Sequence, residues 1–386
     1  QVLRYGAASR PVPPGERSQG TTMKKTSRVF GVLVALVATV ATVAGTGPTA
    51  GAASATPKPP PIKHVFVVNL ENESFDVTFG ADSQAPYLSQ TLVGQGALLS
   101  QYYGIGHVSL DNYIAEISGQ GPSKQTQLDC TTYTDFVSTG TGDLGQVLGD
   151  GCVYPKSAKT IADQLAAKKL TWKGYMEDMA TPCQHPELGA KDPNLVATPE
   201  SAYATRHNPF VYFHSIVDSP SCEQNVVSLD QLETDLASVK TTPNYSMITP
   251  NLCNDGHDET CPDGGPGGLA GVNAWLQQWV PKITGSKAFK KDGLLIVTFD
   301  EAEVVGDDAD ASGCCDTPQY PNVERGGGIV DGPAGGRTGT VLVSRYIKPG
   351  TTTATPYNHF SMLCSVESIF GLSKLGYAGQ PGLTCF

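Results

Sequence analysis

The stretch "HVFVVNLENESFD", residues 64–76, decides how this chain is read. It opens with Val65, Phe66, Val67, Val68 and Leu70, a short run rich in β-branched side chains. Such a run predicts a strand buried on both faces, as in a parallel sheet covered by helices. The strand then passes directly into Glu71, Asn72, Glu73 and Asp76. In an open α/β sheet, ligands sit beyond the carboxyl ends of the strands. Carboxylates delivered at that edge suggest a bound cation.

The same transition recurs in "LLIVTFDEAE", where an apolar run ends in Asp300 and Glu301. If the two strands are parallel and close together, Glu71, Asn72, Asp300 and Glu301 converge at one sheet edge. Three carboxylates and an amide so placed would repel one another or take up protons. One divalent ion removes that conflict, and hard oxygen donors suit Mg, Ca or Mn, with Zn also admissible. The competing reading makes these acids ordinary helix N-caps. A matched pair of acidic strand ends favours the ion.

Further apolar runs at residues 245–248 and 340–344 predict two more strands. Residues 111–118, 161–167, 229–239 and 272–283 carry helical patterning. Strands alternating with helices predict an α/β fold, doubly wound on a mostly parallel central sheet. The loops over residues 253–268 and 304–339 are long and glycine-rich, as functional loops tend to be.

Ahead of the first strand the chain reads as export machinery. Met23 is followed by Lys24, Lys25 and Arg28, an apolar run over residues 29–44, and Ala53-Ser54-Ala55. Residues 23–55 are expected to be a secretory signal peptide, with residues 1–22 an upstream leader. A retained membrane anchor is the alternative. Residues 56–61, "TPKPPP", are expected to be a stiff linker, leaving 62–386 as the catalytic domain. Residues 1–55 hold six basic residues and one Glu, so their removal takes the net charge from −11 to −16 (−11 − 5). That acidity argues against nucleic acid or an anionic membrane as a standing partner. All ten cysteines fall after the signal, which in an exported chain implies disulfides. Pairs 130–152, 183–222, 253–261 and 364–385 are nearest neighbours, although spacing alone does not fix connectivity.

Other residues that could carry chemistry cluster in three places. In "GHVSLDNYIAEISG", Ser109 falls where a helix begins, at the positive end of its dipole. His107 precedes it and Asn112 follows one turn later, although an N-cap role alone would also explain the serine. In "ITPNLCNDGHDETCPDGG", Asn251, Asn254, Asp255, His257 and Asp258 follow the strand at 245–248. A structural calcium loop competes there, but the spacing fails the EF-hand pattern. His207 in "RHNPF" and His359 in "YNHFSM" sit in polar loops.

Taken in order, "IKHVFVVNLENESFD", "HVSLDNYIAEISG", "GYMEDM", "RHNPFVYF", "ITPNLCNDGHD", "LLIVTFDEAE" and "YNHFSMLCSVESIFGLSKLGYA" resemble the bacterial phosphoesterase family. That family holds secreted acid phosphatases and phospholipases C of alkaline-phosphatase-like fold. The likeness covers residues 64–378 and is strongest to short secreted acid phosphatases, some of which act on phosphatidylinositol 3-phosphate. It implies metal ligation by Glu71, Asn72, Asp300 and Glu301, and Ser109 as nucleophile. It also implies phosphate contacts from Asn112, His107, His207, His257 and His359, with His257 the favoured general acid. Ala302 departs from the pattern: phospholipase C relatives carry a histidine after the Asp-Glu pair. The expected protein is therefore a secreted, metal-dependent acid phosphatase working through a phosphoserine. It is expected to be monomeric and free of the membrane once processed, with a small phosphorylated substrate or a phosphoinositide headgroup as partner. A phospholipase C-type diesterase and a non-enzymatic calcium-binding module are the alternatives.

Overall fold

The computed structural model describes residues 60–316 and 318–386. The expected leader, the signal peptide and residues 56–59 of the linker lie outside the described residues. Eight strands form the main sheet: β1 (His64–Leu70), β2 (Ala97–Leu99), β3 (Trp172–Met176), β4 (Val226–Ser228), β5 (Tyr245–Thr249), β6 (Gly293–Phe299), β7 (Thr340–Val343) and β8 (Thr351–Thr353). Their spatial order is β8-β2-β7-β6-β1-β5-β3-β4. From β6 through β1, β5 and β3 to β4 every neighbour is parallel. β7 runs antiparallel to both β6 and β2.

Alternate residues of the buried β1 serve opposite layers. Val65 and Val67 pack with Leu110, Ile114 and Ile117 of α1 (Ser109–Ser118) and with α2 (Ile161–Ala167). Phe66, Val68 and Leu70 pack with Val272, Leu276 and Ile283 of α3 (Gly268–Gly285). A fourth helix, α4 (His359–Phe370), contributes Met362, Leu363 and Val366 to the first layer. Each such apolar side chain contributes roughly 1.5–3 kcal/mol by leaving water. The register of β1, and hence the position of Glu71 at its end, is therefore strongly fixed.

Two local expectations are corrected. The helix expected over 229–239 closes early, spanning only Asp230–Asp235. The hydroxyls of Thr241 and Thr242 donate to the Asp235 carbonyl at 2.8 and 3.0 Å, satisfying it without another helical turn. The strand β3 escaped notice because Lys173 and Gly174 interrupt its apolar pattern. Lys173 pairs with Asp235 at 2.6 Å, and a Cβ at Gly174 would lie 2.7 Å from the Phe210 ring.

Disulfides join Cys130–Cys152, Cys183–Cys222, Cys253–Cys261 and Cys364–Cys385, and a fifth joins the adjacent Cys314 and Cys315. Among the described residues no helix is long and apolar enough to cross a membrane.

Candidate active and metal-binding site

The three central strands β5, β1 and β6 are parallel neighbours, so their carboxyl ends open at the same edge. Leu70 and Phe299 are register partners, which sets Glu71 and Asp300 side by side. The backbone seals the arrangement: Asp300 N donates to the Leu70 carbonyl at 2.9 Å, and Glu71 N donates to the Asp255 carbonyl at 2.9 Å. The loop after β5 thereby adds Asp255 to the pairs supplied by β1 and β6.

Asn72 adopts φ +46°, a left-handed conformation that asparagine tolerates better than most residues. This turns its backbone N–H to Asp300 Oδ1 at 3.1 Å and its Nδ2 to Glu301 Oε1 at 3.2 Å. Ser109 opens α1, and its Oγ donates to Glu71 Oε2 at 2.8 Å. Tyr113, one turn further along the same helix face, donates its hydroxyl to Glu71 Oε1. His207 lies between two carboxylates, with Nε2 3.4 Å from Glu71 Oε1 and Nδ1 3.2 Å from Asp255 Oδ2. Its ring stacks on Tyr113 at 5.4 Å.

The electrostatics are set by four buried carboxylates crowded together. Burial, then Asp300, pushes Glu71 well above the usual carboxylate range. Burial, then Glu301, does the same to Asp300, and burial, then Asp129, to Glu301. Asp255 is raised by burial and then by Glu71. His207 is driven well below its ordinary value, first by burial and then by Arg206, which favours the neutral ring with one nitrogen lone pair and one N–H.

Metal fit can be judged from the donors. Ligand atoms of Glu71, His207 and Asp255 all lie within 4.8 Å of one another. Asp255 Oδ2, Asp300 Oδ2 and Asn72 Oδ1 are buried without a hydrogen-bond partner, and native interiors rarely leave such atoms orphaned. Carboxylate and amide oxygens with one imidazole suit a hard or borderline divalent ion. The residues present fit one.

The remaining expected site residues have other partners. His107 contacts Glu301 through Nδ1 and the Asp310 carbonyl through Nε2 at 3.0 Å. Burial pushes it down to about 4. Asn112 uses its whole hydrogen-bonding capacity on the loop that carries His107. Its Oδ1 accepts from Ile105 N at 2.8 Å and Gly106 N at 3.2 Å, and its Nδ2 donates to the Gly106 and Val108 carbonyls at 2.9 and 3.3 Å. No polar atom is left to face a phosphate. His359 contacts the Asp300 carbonyl at 2.5 Å through Nε2, with Glu116 and Tyr102 at 3.0 Å from Nδ1. It therefore sits behind the Asp-Glu pair. His257 has Asp258 Oδ1 2.7 Å from Nδ1 and Arg206 Nη2 3.1 Å from Nε2.

Several participants escaped the sequence reading. Arg206, buried beside His207, also lies 3.6 Å from Asp129, whose Oδ1 accepts the Leu110 N–H at 3.0 Å. Asp129 thus places a carboxylate at the positive end of α1. Tyr113 could have been found from its four-residue spacing to Ser109. Asp255 stood in a strand-end loop already marked, but nothing in the sequence aimed it at Glu71.

The chain belongs to the phosphoesterase family, whose profile matches residues 81–373. It is similar to the phosphate-repressible acid phosphatase of Penicillium chrysogenum, with 27% identity over 285 residues covering 74% of this chain and 54% of that protein. It is also similar to phosphatidylinositol-3-phosphatase of Mycobacterium tuberculosis, with 26% identity over 328 residues covering 84% and 83% of the two chains. The chain spans between 54% and 59% of the length of the fungal acid phosphatases it matches. A solved structure of a protein in the alkaline phosphatase superfamily from Vibrio parahaemolyticus aligns at 13% identity and a TM-score of 0.47, covering 81% of this chain and 67% of that one.

Proposed function

We propose that this protein is an exported, metal-dependent acid phosphatase that hydrolyses phosphate monoesters through a phosphoserine at Ser109. The observation that carries this reading is the Ser109 hydroxyl, 2.8 Å from Glu71 at the start of a helix, beside buried carboxylates with orphaned oxygens. The similarity to proteins named as acid phosphatases supports the same reaction.

Glu71, Asn72, His207, Asp255, Asp300 and Glu301 would hold the metal. When bound, it would neutralise the carboxylates and the phosphate charge and favour the serine alkoxide. The chain's own groups do the rest. Glu71 Oε2 is in place to accept the Ser109 proton as Oγ attacks phosphorus and the ester P–O bond breaks. Tyr113, held on the other oxygen of the same carboxylate, keeps it aimed at the serine. Water then attacks phosphorus, freeing Ser109 and inorganic phosphate. Once Arg206 Nη2 leaves His257 Nε2 for a phosphate oxygen, that nitrogen is free to take a proton from solvent and hand it to the leaving alkoxide as general acid. The five disulfides suit an oxidising, extracellular setting.

Ser109→Ala is expected to lower turnover of nitrophenyl phosphate by about a thousandfold or more, with thermal unfolding and metal content unchanged. A variant keeping a tenth of the wild-type rate would remove Ser109 from the role. A panel including bis-nitrophenyl phosphate and phosphatidylinositol 3-phosphate separates monoesterase from diesterase and sets substrate class.

A further inference from the structure

Next to the reaction site lies a cavity of about 660 Å³ whose charged lining is acidic. Glu73, Glu259, Glu303, Asp307 and Asp308 line it, and no Lys or Arg does. The decisive group is Glu73. It is only 8% exposed, its carboxylate has no hydrogen-bond partner among the described residues, and it faces this cavity. A largely buried carboxylate without a protein partner takes its donor or counter-charge from whatever occupies the cavity, water or ligand.

The walls are built in place. Ser74 Oγ donates to the Asp308 carbonyl at 2.7 Å and accepts from Glu303 N at 3.1 Å, tying the acidic loop to the strand end. The cavity shares a wall with the reaction site. A Cβ at Gly256 would lie 2.7 Å from the Glu71 carbonyl and 3.6 Å from Glu73 Cγ. The next residue, His257, lines the cavity, and its ring lies 5.9 Å from that of His207.

Volume decides what kind of cation belongs here. One water occupies roughly 30 Å³, so a bare ion would fill a small corner, whereas organic groups occupy pockets of roughly 300–1,000 Å³. Among the described residues, moreover, these carboxylates do not form a group of three close enough to share an ion.

We infer that this cavity is a leaving-group subsite for an organic ammonium, so that the favoured substrates are phosphate monoesters whose alcohol carries a positively charged nitrogen. The inference rests on the phosphatase reading and adds the substrate class to it. It also eases an electrostatic difficulty: a chain of net charge −11 repels a bare phosphate ester at long range, and an ammonium tail offsets that repulsion. A polyanionic headgroup would be disfavoured in the same cavity.

The test compares ω-aminoalkyl phosphates with ω-hydroxyalkyl phosphates of matched and increasing chain length. At the length that reaches the carboxylates, kcat/KM is expected to favour the amine by about tenfold, a preference that shrinks as salt is raised. The double variant Glu259→Gln, Glu303→Gln should bring the ratio near one while leaving hydroxyalkyl turnover unchanged. A wild-type ratio at or below one at every length overturns the inference, as does a ratio the double variant leaves intact. Loss of one equivalent of bound metal in the double variant assigns the cavity to an ion and also overturns it. Failure of the wild type to hydrolyse either series refutes the phosphatase reading itself, a distinct result.

Discussion

Asn112→Ala separates two roles that the sequence could not. As a phosphate ligand, Asn112 would touch substrate; in the structure its amide is spent on four main-chain groups of residues 105–108. Truncation leaves two N–H groups and two carbonyls in the buried loop without that partner. A buried polar group so orphaned costs roughly 1–3 kcal/mol, and the loop relieves part of this by shifting. A net loss of about 3 kcal/mol is expected. For a domain of this size that corresponds to a fall in Tm of about 4 °C. The loop also leads into Ser109, and a displacement of about 1 Å at a nucleophile can cost on the order of a hundredfold in rate. Differential scanning calorimetry and substrate-saturation kinetics on the same preparation read both quantities. A brace lowers Tm and kcat together. If Tm stays within about 1 °C of wild type while KM rises and kcat holds, the brace is refuted and Asn112 is a phosphate ligand.

Two further outcomes are expected. Chelation should abolish turnover and lower Tm, because removal of an ion held at a hundred times its Kd withdraws about 2.7 kcal/mol of stabilisation; Mg, Mn, Ca and Zn added singly then identify the ion. An unchanged Tm with negligible metal by elemental analysis would contradict the metal reading. Stability of the metal-free protein should fall as pH rises through the neutral range. Burial, then Glu303, Glu259 and Asp308, raises Glu73 from an ordinary 4.5 to about 8. Between those values the folded state keeps a proton that the unfolded chain has lost, so each pH unit removes up to about 1.36 kcal/mol. Below 4.5 both states hold the proton and the effect is fully absent. Glu73→Gln should flatten the Tm–pH slope, and an unaltered slope would exclude this origin.

The sequence alone determined the parts whose physics is local or periodic. An apolar, β-branched run predicts the buried β1, and the abrupt change at Glu71 marks its carboxyl end. The same signal in "LLIVTFDEAE" gave β6, and its pairing with Asp300-Glu301 required only that the strands be parallel neighbours. Ser109 at a helix start was legible from its surroundings. Tertiary structure decided the rest, because spatial partners separated by long stretches of chain leave no periodic trace. Only the fold brings Asp255 and His207 to Glu71, spends the Asn112 amide on a loop, and turns His359 behind Asp300. It alone closes the acidic loops around Glu73. Side-chain type can announce what chemistry is available, but which atoms meet depends on how β5, β1 and β6 lie side by side and on where α1 packs against them.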